Sequence, residues 1–266
     1  MSNFSKTGAY PWALVGIFAA VQLVMTIFPM TFAIGTGGAL TLGLIAAPII
    51  GYLLGPIYGI ISVFIGSFLG VAIDVLAHPL LWLTPIAPTT SAFIAGALRV
   101  RKALIVPVVY IIAIALFMIS PIGLLSYYFL WFHIIAFLMS FLFLIPKIRT
   151  PMLDGLDGTK GMKPYVGFFA IWIFSLIAVL GDQLVGSAVG SFLFVALGTD
   201  AATVAGWYTF IIFIYPVERL IASFAAAFVI FALSMTLSKS LLPLPTQPWG
   251  EGVLELSEEE IDDSQI

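Results

Sequence analysis

Ionisable and amide side chains are scarce in the apolar runs of this sequence, and most fall in pairs at the ends of those runs: Asp74 with His78, Asp182 beside Gln183, and Glu218 beside Arg219. In a bilayer such groups are costly, and they ordinarily mark a ligand site, an ion path or a structural pair. Asp74 and His78, at i and i+4, would share one helix face, suiting either two metal ligands or a hydrogen-bonded acid and imidazole. No third ligand stands at a recognisable spacing and H-E-x-x-H is absent, so no metal is assigned. G-x-S-x-G is absent too, and nothing ties a serine to either histidine, so no catalytic residue is assigned and the chain is not read as an enzyme. The lack of cysteine excludes disulfides and a thiolate nucleophile.

These residues are positioned by elements of an unusually apolar chain. Of 266 residues, 62% are hydrophobic and only 9% charged, with a mean hydropathy of +1.17; a soluble domain carries about 25% charged residues. Apolar runs separated by glycine and proline predict spans near 11–32, 33–54, 56–76, 85–98, 103–121, 124–145, 164–182 and 213–237. The fold class expected is all-α: a polytopic transmembrane helical bundle of about 6–8 spans, multi-pass in the cell membrane and surrounded by membrane lipid. The first apolar run has no bounded cleavage site and reads as a retained span rather than a removed signal peptide.

Charge orients the bundle. Of thirteen acidic residues, seven lie in the last sixteen positions, leaving six acids against ten basic residues in the body. The basic breaks at Arg99 to Lys102, Lys147 to Lys163 and Lys239 favour the cytoplasmic side. Eight alternating spans with both termini inside place all three there. No basic patch serves a nucleic acid. Residues 1–240 are expected to form the transmembrane domain and 241–266 an acidic, disordered cytoplasmic tail. The apolar but broken stretch 183–212 is open to three readings: a re-entrant hairpin, an extra helix pair or an outer lid.

On this topology Asp74, His78, Asp182, Gln183, Glu218 and Arg219 all fall in the outer third, with Trp82, Tyr127, Tyr128, Trp131 and His133 at the same level. Apolar walls with a few convergent polar groups are what a small-molecule pocket needs. Two plainer readings compete: aromatic residues form interfacial belts in most membrane proteins, and Glu218 and Arg219 could pair with Asp182 or each other for structural reasons. Small residues at four-residue spacing, Gly66 with Gly70 and Gly186 with Gly190, allow helices to approach closely. In the first span Ala13, Gly16, Ala19 and Ala20 form a surface smooth enough to dock a partner helix.

The stretch Gly35 to Asp74, with Leu40 to Gly43 (L-T-L-G), Gly55-Pro56, Gly59, Gly66, Gly70 and Asp74, resembles the substrate-binding S-components of energy-coupling factor (ECF) vitamin transporters. Pro88 to Arg99 and Pro216 to Lys239 are similar to two further helices of that family. The resemblance implies a subunit that captures a vitamin-like small molecule on the outer side and hands it on through a transmembrane coupling protein and two cytoplasmic ATPases. It carries Asp74, Asp182, Glu218 and Arg219 over as pocket residues, and the first helix as the partner face, where Gly16 and Ala20 replace the family's A-x-x-x-A. The chain has no Walker A sequence, so ATP hydrolysis would belong to partners. The runner-up is a self-sufficient secondary transporter or channel, which should show inverted repeats and mid-depth charges; neither is evident. A structural or assembly protein is the third reading.

Overall fold

The structure, a computed structural model, describes residues 9–30, 40–100, 102–145 and 164–237. The helices are α1 (Ala9–Ile27), α2 (Gly43–Ile73), α3 (Ile86–Arg99), α4 (Ile105–Ile119), α5 (Trp131–Ser140), α6 (Pro164–Ala196), α7 (Ala201–Ile211) and α8 (Ile214–Leu237). A two-residue antiparallel bridge, Pro29–Met30 with Leu40–Thr41, is the one β element among the described residues. Six helical segments are long and apolar enough to cross a membrane. The chain is therefore an all-α polytopic bundle.

α2 is two antiparallel limbs, not one rod. Gly55 adopts φ 75°, ψ −178°, a region essentially reserved for glycine. A Cβ placed on Gly59 would lie 2.9 Å from the Cα of Gly51, whereas residues eight apart in a straight helix are about 12 Å apart along its axis. Gln22 Nε2 donates both to Gly43 O at 3.5 Å and to Ser67 Oγ at 3.0 Å, which brings opposite ends of the helix together. The chain thus reverses at Gly55-Pro56, and the predicted spans 33–54 and 56–76 correspond to limbs 43–54 and 56–73.

Missing side chains let these limbs nest. A Cβ on Gly51 would stand 2.1 Å from Ala92 O of α3, and one on Gly96 2.4 Å from Pro56 N. A Cβ on Gly66 would stand 2.4 Å from Ala19 O of α1, and one on Gly70 2.7 Å from Thr26 Cγ2. Backbones this close gain dispersion contacts that larger residues would prevent. Ser62 Oγ donates to Val15 O at 3.1 Å, so α1 runs parallel to limb 56–73.

α6 is the central post. Tyr110 of α4 donates to Ile177 O at 2.6 Å, Tyr52 meets Phe174 edge-on at 5.4 Å, and Trp172 Nε1 donates to Ser223 of α8 at 3.1 Å. Gly181 and Gly186 of α6 face Ile94 and Ala87 of α3, so these helices are antiparallel. Phe168 meets Phe231 of α8 at 5.8 Å, which makes α8 antiparallel to α6 as well. Ala9 and Leu237 consequently lie at the Gly55 end of the bundle, and residues 74–85, 120–130 and 197–213 at the other.

The predicted seventh span, 164–182, is longer than expected. α6 continues to Ala196, and its 33 residues reach about 50 Å at 1.5 Å per residue, well beyond a hydrocarbon layer of about 30 Å. Thr199 N donates to Phe194 O and Gly198 N to Val195 O, each at 3.0 Å, with Gly198 at φ 92°: a Schellman stop. Asp200 Oδ2 then accepts from Thr203 N at 3.1 Å and caps α7. Residues 183–212 are therefore the last turns of α6 and a short helix folded back along them. The predicted tail, 241–266, lies outside the described residues.

Candidate functional site

A cavity of about 220 Å³ opens at the end of the bundle opposite Gly55. Its floor is the join of three helices: Gln22 and Thr26 of α1, Gly43 and Ser67 of α2, and Asp182, Gln183 and Ser187 of α6. α8 contributes Tyr215, Glu218 and Arg219; α7 contributes Trp207, Tyr208 and Ile211. His78, Pro79, Leu80 and Thr84, from the segment between α2 and α3, close the remaining side.

The charged members are deeply enclosed: Arg219 is 3% exposed, Glu218 6% and Asp182 8%. An Arg219 Nη2–H donates to Gln183 Oε1, while Nε and Nη1 have no partner among the described residues. Asp182, Glu218 and Tyr215 interact electrostatically with the guanidinium. Glu218 Oε1 and Gln22 Oε1 are also buried without a partner. Enclosed charges and orphaned polar atoms are expensive in a closed protein interior, so a bound polar molecule or water would stabilise this arrangement.

The walls are held by bonds between elements. Tyr208 donates to Ser187 O at 2.8 Å, tying α7 to α6. Tyr215 donates to Phe129 O at 2.9 Å, and its ring stacks on His133 at 5.3 Å and 15°. Tyr128 and Thr209 share a hydrogen bond, and Ser126 Oγ donates to Ala205 O at 3.5 Å. Gly186 and Gly190 keep α6 slim where Leu80 and Tyr208 approach.

Of the residues singled out in the sequence, His78, Asp182, Gln183, Glu218 and Arg219 line this one cavity. The others stand elsewhere. α2 ends at Ile73, so Asp74 and His78 do not share a helix face; Asp74 is exposed and its carboxylate caps the next turn by accepting from Ala77 N at 3.2 Å. Trp82 and Tyr127 are more than half exposed and Trp131 is 40% exposed, all outside the cavity lining, with Trp82 against Phe68 at 5.6 Å. Tyr128 is half-buried at the α7 contact, and His133 lies behind Tyr215 rather than in the cavity. Ala13, Gly16 and Ala20 face outward from α1 while Ala19 packs inward.

Gln22, Thr26, Ser67, Trp207 and Tyr208 were not foreseen. Gln22 had a usable signal, since it is an amide in the middle of the first apolar run. Burial lowers the affinity of the His78 imidazole for its proton below the ordinary value of 6.5, partly offset by the Asp74 carboxylate. Among the described residues no three His, Asp or Glu side chains are grouped as a metal ion would require. No family model matches the chain, and comparison with curated proteins and solved structures finds no similar protein.

Proposed function

We propose that this chain captures a small molecule in the cavity and passes it on through an energised partner complex, as the substrate-binding subunit of an ECF-type importer of a vitamin-like compound. The observation that carries the reading is the convergence of Asp182, Glu218 and Arg219, each at most 8% exposed, on an apolar cavity at one end of the bundle. That arrangement suits recognition better than catalysis: orphaned donors and acceptors lie against aromatic walls, and among the described cavity residues no nucleophile is hydrogen-bonded to a base.

The same features weigh against a self-sufficient transporter. Glu218 and Arg219 sit in the first turns of α8, near one end of the bundle, with Asp182 midway along α6, whereas alternating access would need a set of charges at mid-depth. In this reading the outward face of α1 at Ala13, Gly16 and Ala20 is where a transmembrane coupling protein docks, and ATP is hydrolysed by cytoplasmic ATPases.

Purified protein, without ATP, should be stabilised by members of a vitamin panel in a thermal-shift assay, and a coupling protein with paired ATPases should co-purify from native membrane. Uptake driven by sodium or protons through the chain alone would overturn the proposal.

A further inference from the structure

The balance of charge inside the cavity goes further than capture, and the inference rests on that reading. Two carboxylates, Asp182 and Glu218, and one guanidinium, Arg219, line the space. His78 at the wall favours its neutral form. Among these groups the negative charges exceed the positive by one when all are ionised.

The excess falls on Glu218. Arg219 bonds Gln183, the neighbour of Asp182, and Asp182 is its principal electrostatic partner. Glu218 is the weaker of the two carboxylate partners of Arg219, and its Oε1 is buried with no hydrogen-bond partner among the described residues. A buried charge of this kind needs a counter-charge. Four aromatic side chains, Phe194, Trp207, Tyr208 and Tyr215, line the same cavity, and ring faces attract organic cations.

We propose that the cavity selects a monocationic organic molecule, its positive nitrogen on Glu218 and its apolar body against Phe194, Trp207, Tyr208 and Tyr215.

The test is a charge series on one body: phenethylamine, phenylalanine, 3-phenylpropionate and 2-phenylethanol, titrated against the protein in nanodiscs. Phenethylamine should bind at least about tenfold tighter than the others, the scale of one desolvated charge-assisted bond. Glu218→Gln should remove that preference, and Glu218→Asp should keep it. A preference for the anion or the neutral alcohol, or a cation preference that survives Glu218→Gln, would overturn the charge assignment and leave capture standing. If no member binds, the compounds that the wild type retains from a cell extract, identified by mass spectrometry, decide instead. Retained cations support the assignment, and retained anions or neutral compounds overturn it. Retention of nothing overturns both the assignment and the capture reading.

Discussion

Arg219 of α8 donates to the Oε1 of Gln183 of α6, joining two antiparallel helices at the cavity wall. The bond orients a guanidinium whose Nε and Nη1 have no hydrogen-bond partner among the described residues. Removing it separates binding from folding, because the helices are also joined nearer the Gly55 end by Trp172 to Ser223.

Arg219→Ala is expected to weaken ligand binding by about one to two orders of magnitude, the scale of a lost hydrogen bond to a charged group, because Gln183 at the cavity wall loses the charged donor that orients it. Asp182→Ala should act in the same direction by leaving the guanidinium unbalanced. Both variants should elute as monodisperse helical protein. Binding isotherms set beside size-exclusion profiles check this, and unchanged affinity would count against the site.

Gly55 is expected to tolerate no side chain cheaply. Gly55→Ala should lower stability by about 1–3 kcal/mol, the cost of holding a non-glycine residue in that backbone region. Gly51→Val should cost at least as much, since its Cβ would strike the Ala92 carbonyl. Thermal unfolding in a fixed detergent measures both.

Tyr110→Phe deletes only the hydroxyl that donates to Ile177 O at 2.6 Å. The expected loss is about 1 kcal/mol, with ligand affinity unchanged because Tyr110 is outside the cavity lining. The two readouts together separate a scaffold residue from a binding residue.

His78 makes stability depend on pH. Its folded-state pKa is lowered below 6.5 by burial, so the unfolded chain takes up the proton first as the medium is acidified. The stabilising contribution is complete above pH 6.5 and falls as pH drops from 6.5 towards the lowered folded value. Asp74, whose carboxylate opposes the shift, should stay in place for the comparison. His78→Gln is expected to flatten this part of the melting-temperature profile, and a profile with the wild-type slope would contradict the assignment.

Much of the bundle was legible because apolar run length and glycine-proline punctuation follow directly from the membrane's thickness and the backbone's needs. Gly55-Pro56 marked the reversal in α2 for that reason. The extent of α6 was not legible, because Asp182 and Gln183 read as a helix end. In the structure they are mid-helix groups facing a cavity, and α7 folds back to cover the turns beyond them. The pocket followed a similar division. Rare charges at Asp182, Glu218 and Arg219 stood out against an apolar background. Aromatic residues such as Trp82 and Tyr127 could not be told from Trp207 and Tyr208, since composition does not say which ring faces inward. Asp74 lies one residue past the end of α2, where periodicity no longer governs direction.

Central to the account is a chain that holds one small molecule and does not move it unaided. Its most direct test is stoichiometric: proteoliposomes containing only this chain are loaded with the compound retained from cell extract, with and without a proton or sodium gradient. Saturation at one molecule per chain, independent of the gradient and lost in Arg219→Ala, is the expected result. Accumulation beyond one per chain when a gradient is applied, or no saturable retention at all, would contradict it.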